Sequence, residues 1–217
     1  MEYVSHQLFR DAVSKTSYSQ GTNLLAQRFR IEAHHFITSI CAYIFHVCIQ
    51  GNWYSFHNKL DGIERGLSKW EDEGEHGGRT LSSLSPSPSF SVEDVRELHD
   101  KFVEGIMYCC LLKRRQQPIL TLLYGTFEPI LLFAKVSRMY ASREQRVWTR
   151  MRDEMEDNTK ILYTQFVKRA GMFVRVIGQL ERKEVGRSGT GGDKGHVYEG
   201  SWFGDLLVRL DGSYFDR

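Results

Sequence analysis

The four cysteines are the most reactive residue type in this chain, and their surroundings argue against catalysis. Cys41 and Cys48 are seven residues apart in one apolar stretch, and Cys109 and Cys110 are adjacent in another. A nucleophilic thiol needs a base beside it in a polar, accessible place, and neither stretch offers one. We therefore expect reduced core thiols in a protein of the cytosol or nucleus.

The histidines do not show the spacing of a metal site. His34 and His35 are adjacent rather than four residues apart, and His46 and Cys48 fall on different helical faces. The sequence also lacks the CxxC, HExxH and acidic calcium-loop patterns. We expect neither a metal nor a cofactor.

The glycine-rich stretch at residues 186–200 suggests phosphate binding, but the residues around its lysine do not fit a P-loop. In a P-loop, glycine directly precedes the lysine, and serine or threonine follows it. Here Asp193 precedes Lys194, and Gly195 follows. A flexible loop is the better interpretation, and no other set of residues predicts an enzyme.

Two basic clusters are the remaining candidates for binding. Lys113, Arg114 and Arg115 are consecutive, and Arg28 and Arg30 are two residues apart. Neither cluster has the series of interleaved aromatic residues on which single-stranded nucleic acids stack, and the formal net charge is only +2. Contact with another protein is favoured, and a helical nucleic-acid-binding or other interaction adaptor is the alternative.

Helices position all of these residues. Apolar side chains recur every three or four positions from residue 23 to about residue 63, the pattern of a buried helix face. From Phe36 onward the apolar face broadens nearly all the way round, which predicts a central helix covered on several sides. We expect Gly51 and Asn52 to bend or break this helix.

The next helices have recognisable starts. Ser91 with Asp94 predicts a capping box, and Pro118 suits the first turn of a third helix. Ser142 with Gln145 predicts the start of a fourth helix of roughly 39 residues. In the third helix we expect the apolar run 130–134 to be deeply buried and the preceding Pro129 to cause a kink.

Polar stretches at 68–89 and 186–200 separate the helices and are predicted to be mobile loops. The most apolar run, residues 36–49, is too short and too polar to span a bilayer. The sequence therefore predicts an all-α, elongated bundle of about five helices, with a short extended C-terminal tail over residues 205–215.

Four motifs follow one another along the chain. Their residues are His34, Phe36, Tyr43 and Trp53; then Asp94, Val95, Leu98, His99, Phe102, Leu111 and Leu112; then the run 131–135; and finally Leu207, Arg209, Leu210, Asp211 and Phe215. In this order they resemble the C-terminal, gamma-tubulin-binding domain of the gamma-tubulin complex component family. The passage around residues 110–120 is most similar to the component-five type.

The resemblance implies a division of the chain. Residues 28–217 correspond to the gamma-tubulin-binding helical domain, and residues 1–27 match only loosely. Members of this family are several times longer and contact neighbouring components through an N-terminal helical domain. We therefore expect this chain to be part of a larger protein and to lack that domain.

The resemblance also implies a function. Such a domain is a non-catalytic scaffold that binds gamma-tubulin and supports microtubule nucleation at microtubule-organising centres and spindle poles in the cytoplasm. Its partners are gamma-tubulin and other complex components, with neither nucleic acid nor a membrane span. By position in the family, the expected gamma-tubulin-binding residues are Arg28, Arg30, Arg169, Arg175 and Arg209.

Overall fold

The computed structural model describes residues 20–76, 91–141, 148–188 and 202–210. The helices are α1 (Gln20–Ala42), a π-helical segment (Tyr43–Gly51), α2 (Asn52–His76), α3 (Val92–Cys109), a 3-10 turn (Arg114–Gln116), α4 (Gln117–Ala141), α5 (Trp148–Ser188) and α6 (Trp202–Leu210). These ranges contain no strand, so the all-α prediction is confirmed. Four long helical segments occupy the described ranges in place of about five, and α6 is short.

The first helical segment runs through α1, the π segment and α2 without a break. Ala42 and Asn52, which flank the π segment, both have right-handed helical backbone angles. Of the predicted bend or break at Gly51 and Asn52, the break is absent, and the helix changes type there instead. Helix α2 also continues to His76, so the beginning of the predicted loop 68–89 is helical. Residues 77–89 lie outside the described ranges.

The capping box of α3 is confirmed. The Ser91 hydroxyl accepts a hydrogen bond from the Asp94 N–H at 3.3 Å, and the Asp94 carboxylate accepts one from the Ser91 N–H at 2.7 Å. Pro118 lies in the first turn of α4 as predicted. The predicted start of the fourth helix at Ser142 lies outside the described residues. From Trp148 onward α5 has 41 residues and is about 60 Å long.

Helix α3 ends in a left-handed residue that is not glycine. Leu111 has φ 61°, and its N–H donates to the Tyr108 carbonyl at 3.1 Å. The Leu112 N–H donates to the Met107 carbonyl at 2.8 Å, which completes a Schellman motif. An L residue in this conformation costs about 1–2 kcal/mol. Burial of the Leu111 side chain, which is 3% exposed, offsets that cost.

Phenylalanines from α1, α4 and α5 form the centre of the core. Phe29 of α1 lies 4.4 Å from Phe133 of α4 and 5.4 Å from Phe166 of α5, measured between ring centroids. Phe36 lies about two turns further along α1 and packs edge-on against Phe166 and Phe173. All five rings are fully buried, so these three helices are fixed against one another.

Helix α6 closes this core, and it corrects the prediction of an extended tail. Phe203, Leu206 and Leu210 are buried against α1, the π segment and α5. The Ser39 hydroxyl of α1 donates to the Arg209 carbonyl at 3.0 Å, which satisfies one of the free carbonyls in the last turn. Residues 205–210 are therefore helical, while the rest of the predicted tail, 211–215, lies outside the described residues.

The apolar run in α4 is only partly buried. Ile130, Phe133 and Ala134 are buried, but Leu131 is 53% exposed and Leu132 is 43% exposed. The prediction of deep burial is wrong for the two leucines, because consecutive residues in a helix point in different directions. Pro129 lies inside α4, which continues through it to Ala141.

Helices α2 and α3 pack mainly against each other and the π segment. The Phe56 and Phe102 rings stack with centroids 4.9 Å apart, and Trp53 lies 6.1 Å from Phe102. Trp53 is nevertheless 49% exposed. The π segment is also open on one side, where Phe45 is 62% exposed. Within the described ranges, the expected cover around the first helix is thus incomplete.

One helical stretch among the described residues, within Val92–Met139, is long and apolar enough to cross a membrane by length and composition. It comprises α3, α4 and the turn between them, and a third of its most apolar window is buried in the fold. The core helix of a globular protein passes the same test. This is weak evidence for a span, and the expectation of none stays a prediction.

Candidate partner-binding surface

Two of the predicted binding arginines hold α1 against its neighbours. The Arg28 guanidinium binds Glu32 at 2.8 Å and lies over the Tyr163 ring of α5 at 5.6 Å, and its hydrogen bond to Glu32 raises its pKa. The Tyr163 hydroxyl donates to the other oxygen of the buried Glu32 at 3.0 Å. Arg30 lies over the Phe133 ring of α4, 5.9 Å from its centroid. Both arginines therefore have partners within the chain.

Arg169 of α5 compensates for a proline in α4. Pro129 has no N–H, so the Gly125 carbonyl four residues earlier lacks its usual helical donor. The Arg169 guanidinium donates to that carbonyl and to the Glu128 carboxylate, the latter at 2.6 Å. Two polar contacts therefore direct Arg169 towards α4.

Arg209 supports the short helix α6. Its side chain binds Asp205, one turn earlier, at 2.8 Å, and its carbonyl accepts the hydrogen bond from Ser39. The two charged side chains are 35% and 40% exposed. An ion pair of this kind stabilises a helix only slightly, so Arg209 contributes mainly through the backbone contact with α1.

Arg175 differs from these four arginines. It is exposed, and the structure shows no hydrogen bond or ion pair between its side chain and any other described residue. Phe173 and Ile177, two positions away on either side, are buried in the core. Arg175 therefore points away from the bundle.

A continuous stripe of exposed side chains runs along α5 through Arg175, and we call it the α5 outer face. Its residues share the spacing of one helical face and are all exposed: Ile161, Gln165, Lys168, Met172, Arg175, Gln179 and Arg182. Ile161 is 56% exposed and Met172 is 38% exposed. Three cations and two exposed apolar side chains thus lie together, with no carboxylate among them. Closer to the start of α5, Glu154 and Asp157 continue the same face with negative charge.

Three cysteines from two separate apolar stretches of the sequence meet in the fold. The sulfur atoms of Cys48, Cys109 and Cys110 all lie within 4.8 Å of one another. Cys48 and Cys109 are fully buried, whereas Cys110 is partly exposed. Cys48 is 61 residues from Cys109 in the sequence, so only the packing of the π segment against α3 brings them together. Local spacing gives no signal of this cluster.

The surroundings of the cluster favour one negative charge at its accessible end. Hydrogen bonds from Cys109 and Cys48 hold the pKa of the Cys110 thiol below its usual range. The pKa of Cys48 is raised by its hydrogen bonds to Cys109 and Cys110 and by burial. Burial likewise raises the pKa of Tyr43, whose hydroxyl donates to the Cys109 carbonyl at 3.0 Å. The partly exposed Cys110 is therefore the thiol most ready to ionise.

The chain matches one known family over almost its whole length. The family model described as gamma tubulin complex component C-terminal matches residues 1–215. The chain belongs to the gamma-tubulin complex component family. The resemblance read from the sequence motifs is thereby confirmed. No curated protein and no solved structure matches the chain significantly.

Membership of the gamma-tubulin complex component family implies a part in a gamma-tubulin complex, and hence a general association with the cytoskeleton and microtubule-organising centres. The family consists of structural scaffolds rather than enzymes. In this member, the fold assigns Arg28, Arg30, Arg169 and Arg209 to contacts within the chain. Arg175 lies on an open surface.

Proposed function

We propose that this chain is a non-catalytic scaffold that binds gamma-tubulin and thereby supports microtubule nucleation by a gamma-tubulin complex. The observation that carries the proposal is the family match over residues 1–215. Its partners are gamma-tubulin and other components of the complex. Its place is the microtubule-organising centre, including the spindle pole, in the cytoplasm.

We assign the α5 outer face to the gamma-tubulin contact. From Ile161 to Arg182 this face is about 32 Å long, since a helix rises about 1.5 Å per residue. At a helix diameter of about 10 Å it offers roughly 300 Å², against about 800 Å² on each side of a standard interface. The face therefore supplies part of the contact, and neighbouring surfaces complete it.

The composition of the α5 outer face suits such a contact. Arginine and methionine are enriched at protein interfaces, and Arg175 and Met172 are close neighbours on this helix. The buried Phe166 and Phe173 on the opposite side fix the helix to the core. A partner can therefore bind without first ordering the backbone, which reduces the entropic cost of association.

The other four predicted arginines are less suitable test positions. Substituting Arg28, Arg30 or Arg169 changes contacts between helices of the bundle, and substituting Arg209 removes its ion pair with Asp205 within α6. A loss of binding in such a variant would not distinguish a lost interface from a weakened fold. Arg175 avoids this ambiguity, because its side chain makes no such contact with the described residues.

The proposal is tested with purified chain and purified gamma-tubulin at micromolar concentrations. We expect binding by the unmodified chain, and at least about tenfold weaker binding by Arg175→Glu, since a central interface arginine is worth over 1.4 kcal/mol. Lys160→Glu is the matched control: it makes the same charge reversal at an exposed position of α5, about 100° around the helix from Ile161.

Two results would count against the proposal at different levels. If the unmodified chain does not bind gamma-tubulin, the proposed function is wrong for this chain. If it binds and Arg175→Glu binds equally well, the function stands but the α5 outer face is not the contact. Urea denaturation of each variant confirms that the fold is retained.

A further inference from the structure

The three-thiol cluster has the composition and geometry of a metal site, and it lies outside the α5 outer face. We propose that Cys48, Cys109 and Cys110 bind one thiophilic cation, Zn²⁺ or Cu⁺. Their sulfur atoms lie within 4.8 Å of one another. At a metal–sulfur distance of about 2.3 Å, three sulfurs around one ion are about 4 Å apart. Small side-chain rotations would close the difference.

Asn52 organises this cluster from the start of α2. Its side-chain amide donates to the Cys48 carbonyl at 2.6 Å and to the Cys109 sulfur at 3.5 Å. An N–H donor directed at a sulfur stabilises negative charge on it, and outer partners of this kind orient metal ligands. The same side chain thus connects both cysteine-bearing elements.

The backbone around the cluster is adapted to this arrangement. A Cβ on Gly105 would lie less than 3 Å from the Asn52 amide oxygen, so a glycine is needed for Asn52 to occupy its position. Cys48 lies in a π-helical segment, a backbone form that is rare and frequent at functional sites. Leu111, directly after Cys110, has a left-handed backbone. Three unusual local features therefore converge on three cysteines.

An ion can reach the cluster through Cys110, which is partly exposed while Cys48 and Cys109 are fully buried. Soft thiolate ligands select Zn²⁺ and Cu⁺ over hard cations. Zn²⁺ would leave a net charge of −1 on the three-thiolate site, and Cu⁺ would leave −2. The smaller buried charge favours Zn²⁺, whose fourth position would hold water on the Cys110 side.

Binding releases protons because thiolates, not thiols, are the ligands. Three thiols and one Zn²⁺ give a zinc tris-thiolate and three protons, with no change in oxidation state. The Cys109 thiol, which donates to the Gly105 carbonyl at 2.9 Å, gives up that hydrogen bond when it ionises.

The test uses the whole chain under reducing conditions with a phosphine reductant. We titrate it with Zn²⁺ against a chromophoric chelator, and separately with Cu⁺ held by bicinchoninate. We expect one ion per chain, with affinity at least about tenfold lower in Cys110→Ser and about tenfold lower in Asn52→Ala. Cys41→Ser is the matched control, because Cys41 is a partly buried cysteine outside the cluster. Binding in only one arm identifies which cation the site holds.

Absence of binding in both arms would overturn the proposal, as would equal binding by Cys110→Ser and the unmodified chain. Far-UV circular dichroism checks the folding of each variant. If Cys110→Ser does not fold, alkylation of the unmodified chain shows whether the three cysteines bind the ion. Zn²⁺ or Cu⁺ should slow the alkylation of Cys48, Cys109 and Cys110 and leave that of Cys41 unchanged, and equal rates with and without the ion would refute the site.

Discussion

Replacing Arg169 with methionine removes the side-chain donor that serves the Gly125 carbonyl opposite Pro129. Methionine keeps helix propensity and much of the apolar stem, so the change isolates the guanidinium. A hydrogen bond from a charged donor is worth about 1.5–3 kcal/mol, and an exposed ion pair such as that with Glu128 adds at most about 1 kcal/mol. Arg169 is one-third exposed, so we expect a loss of about 2 kcal/mol in the free energy of unfolding.

A second substitution shows whether the proline is the reason. In a Pro129→Ala background, residue 129 has an N–H that can donate to the Gly125 carbonyl. Arg169→Met should then cost only the ion pair, about 1 kcal/mol or less. The expected coupling between Arg169 and Pro129 is therefore about 1–2 kcal/mol. Glu128→Gln, which removes the ion pair and keeps the carbonyl contact, is the control and should cost at most about 1 kcal/mol.

Urea denaturation followed by far-UV circular dichroism measures all four corners of this cycle, with unchanged m-values as the check that the unfolded states are comparable. Independent sites add to within about 0.5 kcal/mol. If Arg169→Met costs the same in both backgrounds within that margin, the guanidinium does not replace the missing N–H, and the argument from Pro129 fails.

Three further predictions concern single positions. Gly62→Ala, in an open helical position, should stabilise the fold by about 0.5–1 kcal/mol. Gly105→Ala should instead destabilise the fold, because the added Cβ displaces Asn52. Thermal unfolding measures both changes. Leu111→Gly and Leu111→Ala should each lose about 2–5 kcal/mol, with glycine about 1 kcal/mol the more stable because the left-handed conformation costs it nothing. Iodoacetamide should alkylate Cys110 with a rate midpoint below the usual thiol pKa of about 8.5.

Each of these has a distinct contrary result. Equal stabilisation by alanine at both glycines would show that Asn52 yields without cost. Alanine at Leu111 proving more stable than glycine would mean that the backbone there relaxes into an ordinary helical conformation. For Cys110 the direction of the pH dependence of stability follows from its lowered pKa. The thiolate contributes stability above the pKa of the unfolded state, and this contribution is lost as the pH falls through the pKa of the folded state. A rate that rises only above pH 8.5 would contradict it.

Local signals in the sequence predicted the local structure well. The capping box between Ser91 and Asp94 needs only residues three apart, and it is present in the structure. Pro118 similarly marks the first turn of α4. The helical fold follows from apolar spacing alone, because each long helix must bury one stripe.

The errors arose where distant residues decide the local structure. The helix continues through Gly51 and Asn52 because the Asn52 amide bonds the Cys48 carbonyl one turn back and packs beside Gly105 of α3. Residues 205–210 of the predicted extended tail are helical, and the Ser39 hydroxyl of α1 donates to the Arg209 carbonyl in their last turn. Neither partner is adjacent in the sequence.

The candidate sites also depend on contacts between residues that are distant in the sequence. Family position selects the five arginines, but residue type does not show which of them bind other residues of the chain. Pro129 alone indicates that the Gly125 carbonyl needs a donor from another residue. The thiol cluster was missed because Cys48 and Cys109 are 61 residues apart. Their shared apolar surroundings indicated burial but carried no information about mutual distance.

The position of α6 also has a consequence for synthesis of the chain. Ser39 precedes its partner Arg209 by 170 residues, and ribosomes add about 5–20 residues per second. Roughly 10–30 s therefore pass between the emergence of α1 and the arrival of the helix that covers it. During that interval the nascent chain exposes apolar surface that the finished fold conceals, and such transiently exposed surface is prone to aggregation unless chaperones cover it.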